Sequence, residues 1–369
     1  LPPWDAEMVA PVAQHLREQG VQLQLADAAA AIEEADHKLT IRLQSGAKLT
    51  ADMVVMSVGV RPENQLAVDA GLEVGPRGGI QVNDSMQTND PDIYAVGDAV
   101  EVRHFVDETP VQIALGGPAN RQGRIAADHL CGRSSGYRGT QGTAIVGVFD
   151  MTAAMTGLSE KSLVAADQDY AKVYLHPAHR AGYYPGAEQL SLKLLFTPDH
   201  GKILGAQVVG RSGVDKRIDV LAVAIQAGMT VYDLEEVELA YAPQYGSAKD
   251  PINMAGFVAA GVLRGDQPLA HADEFFAEPP IAQPFLLDVR SPTEFSAGHI
   301  DGAVNIPLEE LRSRIDEIPL DHPIVTSCKV GQRGYSATRI LAQKQRNVRN
   351  LSGGHLTYLA QRTVQAPQQ

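Results

Sequence analysis

Cysteine is almost missing from this chain: 369 residues hold only Cys131 and Cys328. With two thiols that lie far apart and in different contexts, no disulfide framework is expected. Long apolar runs are also missing. With no stretch of eighteen or more apolar residues there is no candidate membrane span, and the opening Leu-Pro-Pro-Trp-Asp-Ala-Glu has neither the positive stretch nor the apolar core of a secretion signal. Clustered Lys and Arg are lacking too, and the net charge of -13 argues against nucleic acid and against an anionic membrane surface. The expectation is a cytoplasmic protein with small-molecule substrates, and no metal site is expected.

What is present reads as globular. The chain is 44% hydrophobic and 20% charged, and its length allows two or three domains with proper cores. The most informative stretch is Thr88 to Asp98. Asn89-Asp90-Pro91 signals a turn, and Ile93-Tyr94-Ala95-Val96 is a short apolar run suited to a buried strand that Gly97 would break. Asp98 then falls just beyond a strand's carboxyl end, where an open α/β sheet places its ligands and where a cofactor hydroxyl could donate to it. The plain alternative is a strand followed by a Gly-Asp turn. Downstream, Gly116-Gly117-Pro118 reads as a helix start with Pro118 first, so free N–H groups and the positive dipole end would face a neighbouring anion.

Thr88, Tyr94, Ala95, Gly97 and Asp98 resemble the second flavin motif of the FAD-dependent pyridine nucleotide-disulfide oxidoreductases, Thr-x5-Tyr-Ala-x-Gly-Asp. Gly116 to Arg124 is similar to the next segment of the coenzyme A-disulfide reductase branch. The resemblance implies FAD held by Gly97, Asp98, Gly117, Pro118 and Ala119, and NAD(P)H as reductant. That family also carries Gly-x-Gly-x-x-Gly turns for both nucleotides and a redox cysteine near its N-terminus, none of which occurs here. The chain is therefore expected to be the C-terminal part of a longer protein, with both cofactors needing the part not given.

Residues 5–19 are expected as an amphipathic helix with Met8, Val9, Val12 and Leu16 on one face and Asp5 as its N-cap. Strands are expected at Val21–Leu25, Lys38–Leu43 and Lys48–Val58. Val58 to Asn64 is similar to the Gly-x-Arg-Pro-Asn turn of the NADH domain. A helix from Pro118 to Leu130 should face Ala119, Ile125, Ala126 and Leu130 inward. Cys131, at its end, is expected to be a small buried hydrophobe without chemistry.

From about 137 to 264 the texture changes to strands at Thr143–Phe149, Tyr170–Leu175, Leu190–Phe196 and Ile203–Val209, then a helical run from Gly213 to Gly228. This α+β pattern resembles the family's dimerisation domain and implies a homodimer. Tyr183-Tyr184-Pro185 and Tyr241-Ala242-Pro243-Gln244-Tyr245 look like the segments whose tyrosines reach the partner's active site, with Tyr184 and Tyr241 favoured as the functional pair. A phenol can donate a hydrogen bond to a thiolate. An interface anchor without chemistry is the rival role.

Residues 265–280 are polar and proline-punctuated, expected as a linker. After it, Phe285 to Arg290 and Ile324 to Ser327 read as buried strands. The second delivers Cys328 into a loop at a helix start, where loop N–H groups, the helix dipole, Lys329 and Arg333 would all favour an anionic sulfur. Asp288-Val289-Arg290, Gly298-His299-Ile300, Cys328-x4-Arg333 and Leu351-Ser352-Gly353-Gly354 resemble a rhodanese sulfurtransferase domain. A cysteine phosphatase would need one more residue between the cysteine and the arginine.

The fold class expected is thus α/β and α+β: a partial dinucleotide-binding region (1–136), a dimerisation domain (137–264), the linker, and a rhodanese-like domain (281–369). The implied activity is FAD-dependent, NAD(P)H-using reduction of coenzyme A disulfide, a persulfide or polysulfide, coupled to a sulfur-carrying Cys328, with coenzyme A as a candidate ligand. The alternative is a stand-alone sulfurtransferase or a non-redox dimerising module.

Overall fold

The computed structural model describes residues 3–35, 37–276 and 284–365, which form two compact units. The first helix, α1 (Ala6–Glu18), keeps Met8 and Val12 buried and carries Pro11 within it.

One unit comprises residues 13–104 and 109–140. Strands β1 (Ala29–Ala35), β2 (Lys38–Leu43) and β3 (Lys48–Ala51) make an antiparallel meander. The strand expected at Val21–Leu25 does not form, and the one expected to reach Val58 stops at Ala51. Val55, Val58 and Val60 are exposed, and among the described residues no strand pairs with this stretch. An apolar run becomes a strand only where its backbone finds a hydrogen-bonding partner. Beyond helix α2 (Gln65–Asp69), β4 (Ile80–Gln81) runs parallel to β5 (Val100–Arg103), which pairs antiparallel with β6 (Pro110–Val111). Ile93–Val96 is not a strand; Tyr94 makes a single bridge to Gln87.

Helix α3 (Gly116–Leu130) packs Ile125 and Ala126 against Val100 and Val102. It starts two residues earlier than expected, so Pro118 is third rather than first, still within the turn whose N–H groups need no helical carbonyl. Leu130, expected inward, is 66% exposed, while Gln122 is buried on the inner face. Cys131, expected buried, is exposed because the helix ends there.

The other unit holds residues 3–12, 105–108 and 141–365. Strands β7 (Ala144–Val148), β8 (Met151–Gly157), β9 (Ala171–Leu175), β10 (Leu190–Phe196) and β11 (Ile203–Gly210) form an antiparallel sheet ordered β7-β8-β11-β10-β9. Strand β8 went unread in the sequence because its only β-branched residues are Thr152 and Thr156 among alanine, methionine and glycine, with no valine, isoleucine or aromatic to mark a strand. Helices α4 (Glu160–Ala165), α5 (Val214–Gln226), α6 (Val231–Glu236) and α7 (Pro251–Leu263) accompany it. Residues of α5, α6 and α7 share the largest core with Leu192, Leu194 and Val208, whereas Trp4, Met8 and Val12 pack with Ala153, Met155 and Val209.

On that second side lies a buried charge cluster. Lys193, fully buried, reaches Asp5 at 2.8 Å, Glu7 at 2.6 Å and Glu160 at 2.5 Å. The Asp5 carboxylate also accepts from the Glu160 and Lys161 backbone amides and from Gln207. So Asp5, expected to cap its own helix, caps the start of α4 and neutralises a buried cation, which is costly to leave unpaired.

A second, parallel sheet follows in the same unit, ordered β12-β16-β15-β13-β14: β12 (Leu269–Ala270), β13 (Phe285–Asp288), β14 (Val304–Asn305), β15 (Ile324–Ser327) and β16 (Val348–Leu351). Helices α8 (Pro292–Ser296), α9 (Gln332–Ala342) and α10 (Gly354–Gln365) belong to it. The stretch expected as a linker instead supplies β12 as an edge strand and packs Phe275 and Phe276 on Tyr358. Its prolines and charges concealed five apolar residues, Leu269, Ala270, Ala272, Phe275 and Phe276, that the fold buries or half-buries. Residues 277–280 of that expected linker lie outside the described residues.

Candidate functional site

Strand β15 runs into Cys328, whose side chain is fully buried and whose sulfur accepts a hydrogen bond from the Gly331 amide at 3.2 Å. Gly331 takes φ 94°, a left-handed conformation that turns the chain into α9. From the other side, the first amides of α10 close on the loop: His355 N–H donates to the Cys328 carbonyl at 2.8 Å and Leu356 N–H to the Lys329 carbonyl at 3.1 Å. Asn350 Nδ2 donates to the Gly331 carbonyl. Two helix N-termini thus bracket the sulfur's loop, and their partial positive charge favours an anion there. This approach tolerates no side chain at Gly354, where an added Cβ would lie 2.3 Å from the Cys328 carbonyl oxygen.

The two expected cations behave differently. Lys329 is exposed. Arg333 is held by Glu294 in a two-point contact of 2.7 and 2.6 Å, and these bonds hold the Glu294 carboxyl down at about 2. Glu294 also completes a capping box with Ser291 at the start of α8. Beneath the loop, Arg290 is buried in a fork with Asp288 and donates to the Gly298 carbonyl. His355 is buried, and burial together with the Arg290 cation holds its imidazole below the usual histidine range.

The tyrosines occupy two loops of the same unit. Tyr183 and Tyr241 bring their hydroxyls to 3.4 Å, while Tyr184 lies under the Arg180 guanidinium, 5.2 Å from ring centre. Within the chain, then, Tyr241 contacts Tyr183 rather than Tyr184. All three are exposed. A cleft of about 820 Å³ runs from Arg180 and Gly182 beside these loops, past Lys249, to Val330, Gly331 and Gln332 of the cysteine loop.

In the smaller unit Asp98 sits exposed in a 3-10 turn, Gly97–Ala99, rather than after a strand. Gly97 has φ 87° with no atom near its missing side chain, and its amide donates to Gln122 of α3 at 2.7 Å. Gly116 and Gly117 are likewise open. An exposed carboxylate joined through Gln122 to a helix whose first amides are free fits a ligand bearing both hydroxyls and negative charge.

Three family profiles tile the chain: pyridine nucleotide-disulphide oxidoreductase over residues 1–123, the dimerisation domain of the same family over 143–250, and a rhodanese-like domain over 272–361. The chain belongs to the pyridine nucleotide-disulphide oxidoreductases and carries a rhodanese-like domain. Among solved structures, reduced Bacillus anthracis CoADR-RHD is 46% identical with a TM-score of 0.93, matching 98% of this chain and 64% of that one. A NAD-dependent persulfide reductase from A. fulgidus is 38% identical with a TM-score of 0.88, matching 97% of this chain and 65% of that one. Coenzyme A disulfide reductase of Staphylococcus aureus strain RF122 / ET3-1 is 34% identical over 256 residues, 69% of this chain and 57% of the relative. The chain spans roughly half to two thirds of the length of these proteins.

Sequence reasoning missed Glu294 as the partner of Arg333, His355 on the loop and the Asp5–Lys193 cluster. For Glu294 a signal existed, the Ser-x-x-Glu box at residues 291–294. Asp5 and Lys193 are 188 residues apart, and no local pattern joins them.

Proposed function

We propose that this chain is part of a homodimeric, FAD-dependent reductase using NAD(P)H, acting on coenzyme A disulfide, a related persulfide or polysulfide, and that Cys328 carries its sulfane sulfur. The observation behind this reading is the Cys328 sulfur on the Gly331 amide between the N-termini of α9 and α10. The cysteine thiolate attacks the outer sulfur of a donor such as thiosulfate, a sulfur–sulfur bond forms, and sulfite leaves with the electron pair of the bond that breaks. An acceptor thiolate then takes the terminal sulfur and returns Cys328 as thiolate. Gly331 N–H stabilises negative sulfur at both ends of this cycle.

Asp98, Gly97 and the start of α3 at Gly117, Pro118 and Ala119 would hold FAD, with Asp98 accepting from a ribityl hydroxyl. The flavin, when bound, supplies two-electron reduction. Tyr241 with Tyr183 or Tyr184 would donate hydrogen bonds to a substrate sulfur, and the cleft between their loops and the cysteine loop has the size and the cations to take a thiol bearing phosphates, as coenzyme A does. The full chain treated with thiosulfate should gain one sulfur on the peptide containing Cys328, read by mass spectrometry, and should transfer it to cyanide. Cys328→Ser should do neither; sulfur on Cys131 alone, or on no peptide, would overturn the reading.

A further inference from the structure

We propose that Arg217 is the positioning residue for the Tyr183–Tyr241 hydroxyl pair: one buried guanidinium ties the bases of the two loops that carry them. Arg217 projects from α5 and is 1% exposed. Its Nη2 donates to the His179 carbonyl at 2.7 Å, at the base of the loop bearing Tyr183, and to Asp250 Oδ2 at 2.7 Å, at the end of the loop bearing Tyr241. Nε adds a bond to Asp250 Oδ1 at 3.2 Å. Asp250 cannot drift, because it caps α7 through the Ile252 amide and its own amide is held by Asn253.

Above this anchor the loops are laced together by Ala181 N–H donating to the Gly246 carbonyl at 2.8 Å and Arg180 Nη1 donating to the Gln244 carbonyl at 3.3 Å. The tyrosines themselves touch only at 3.4 Å between exposed hydroxyls. Two exposed phenols with free rotamers hold such a contact only if their backbones are fixed beneath them. A lysine at 217 keeps the charge, but its single nitrogen cannot reproduce the planar fork in which Nε and Nη2 reach both loops.

The role in turnover rests on the proposed function, whereas the positioning can be read without substrate. The Tyr183 hydroxyl raises the Tyr241 phenol above its ordinary range through their hydrogen bond. In the full chain labelled with ζ-13C tyrosine, Tyr241→Phe identifies the Tyr241 resonance and Tyr183→Phe returns its titration to the ordinary range. Arg217→Lys should do the same with Tyr183 still in place, circular dichroism remaining native. A folded Arg217→Lys protein whose Tyr241 keeps the raised titration overturns the proposal. Should that variant not fold, Asp250→Asn preserves the cap oxygen and weakens the fork: a lowered Tyr241 titration supports the proposal and an unchanged one refutes it. If the titration responds but sulfur or disulfide turnover does not, the functional reading fails while the positioning stands.

Discussion

The Arg333 guanidinium is turned onto Glu294, at 2.7 and 2.6 Å, so its positive charge is largely compensated before it can act on Cys328. Arg333→Ala should therefore slow thiosulfate-to-cyanide transfer by no more than about tenfold, since the Gly331 amide and both helix starts remain. Glu294→Gln keeps the capping box but frees the cation, and should speed persulfide formation about threefold to tenfold at pH 7. Stopped-flow rates for the two variants check the pair, and a slower Glu294→Gln would argue against this electrostatic account.

The two thiols should separate cleanly toward a bulky disulfide reagent. Cys131 is exposed and Cys328 fully buried. One equivalent should react fast and one slowly in the native chain, both fast in denaturant. Cys131→Ser should remove the fast phase and leave sulfur transfer unchanged.

Gly354 should tolerate no substitution. At φ 61° its added Cβ would meet the Cys328 carbonyl oxygen at 2.3 Å and the Gly331 nitrogen at 2.7 Å. Gly354→Ala should cost about 2 to 4 kcal/mol from backbone strain and overpacking together. Urea unfolding measures this, and transfer activity should fall further than stability because the loop itself is displaced.

Acid should weaken the larger unit in two steps. Burial holds the His176 imidazole down at about 4 in the fold, bonded to Ser191 and Thr357. The unfolded chain takes up that proton first, so stability falls as pH drops from 6.5 to 4, by about 2 kcal/mol between pH 7 and pH 5. Glu160 behaves as a depressed carboxyl: burial pushes it up, but Lys193 and Lys172 outweigh this and hold it at about 2. Its contribution is complete above pH 4.5 and is lost toward pH 2. His271, which burial and the Lys172 cation hold down at about 4, and His355 add to the first step, so His176→Gln should shrink that step in urea midpoints without abolishing it and leave the second.

Asp98 is tested by flavin affinity. In the longer protein of which this chain is proposed to be part, losing a charge-assisted hydrogen bond worth roughly 1.5 to 3 kcal/mol should weaken FAD binding about tenfold or more in Asp98→Ala. Fluorescence titration with FAD, with Asp98→Asn as the isosteric partner, provides the measurement.

Legibility in the sequence followed locality. The parallel sheet around Cys328 could be read because strand, loop, helix start and glycine pair sit in consecutive stretches, each with its own signal. The strands of the antiparallel sheet were legible where leucine, isoleucine or valine is dense, as in β10 and β11, and not in β8, built of methionine, threonine and alanine. Val55 to Val60 misled because an apolar run states a need for burial without naming a partner strand. The boundary near residue 280 misled for the opposite reason: β12 is two residues long and hidden among prolines and acids, so a domain cut there would lose an edge strand. A loop's sequence also does not say which of two adjacent rings turns toward a neighbour: Tyr183, not Tyr184, meets Tyr241 within the chain.

The grip of Asp5 on Lys193 and Gln207 also sets an order of events during synthesis. The chain's first helix must wait for partners 188 and 202 residues later. At about 5 to 20 residues per second that is a delay of roughly 10 to 40 seconds. Through that interval Trp4, Met8 and Val12 have no sheet to cover them. Whatever is made before it, α1 cannot settle on this sheet until Val209 has been made, and its apolar face waits until then.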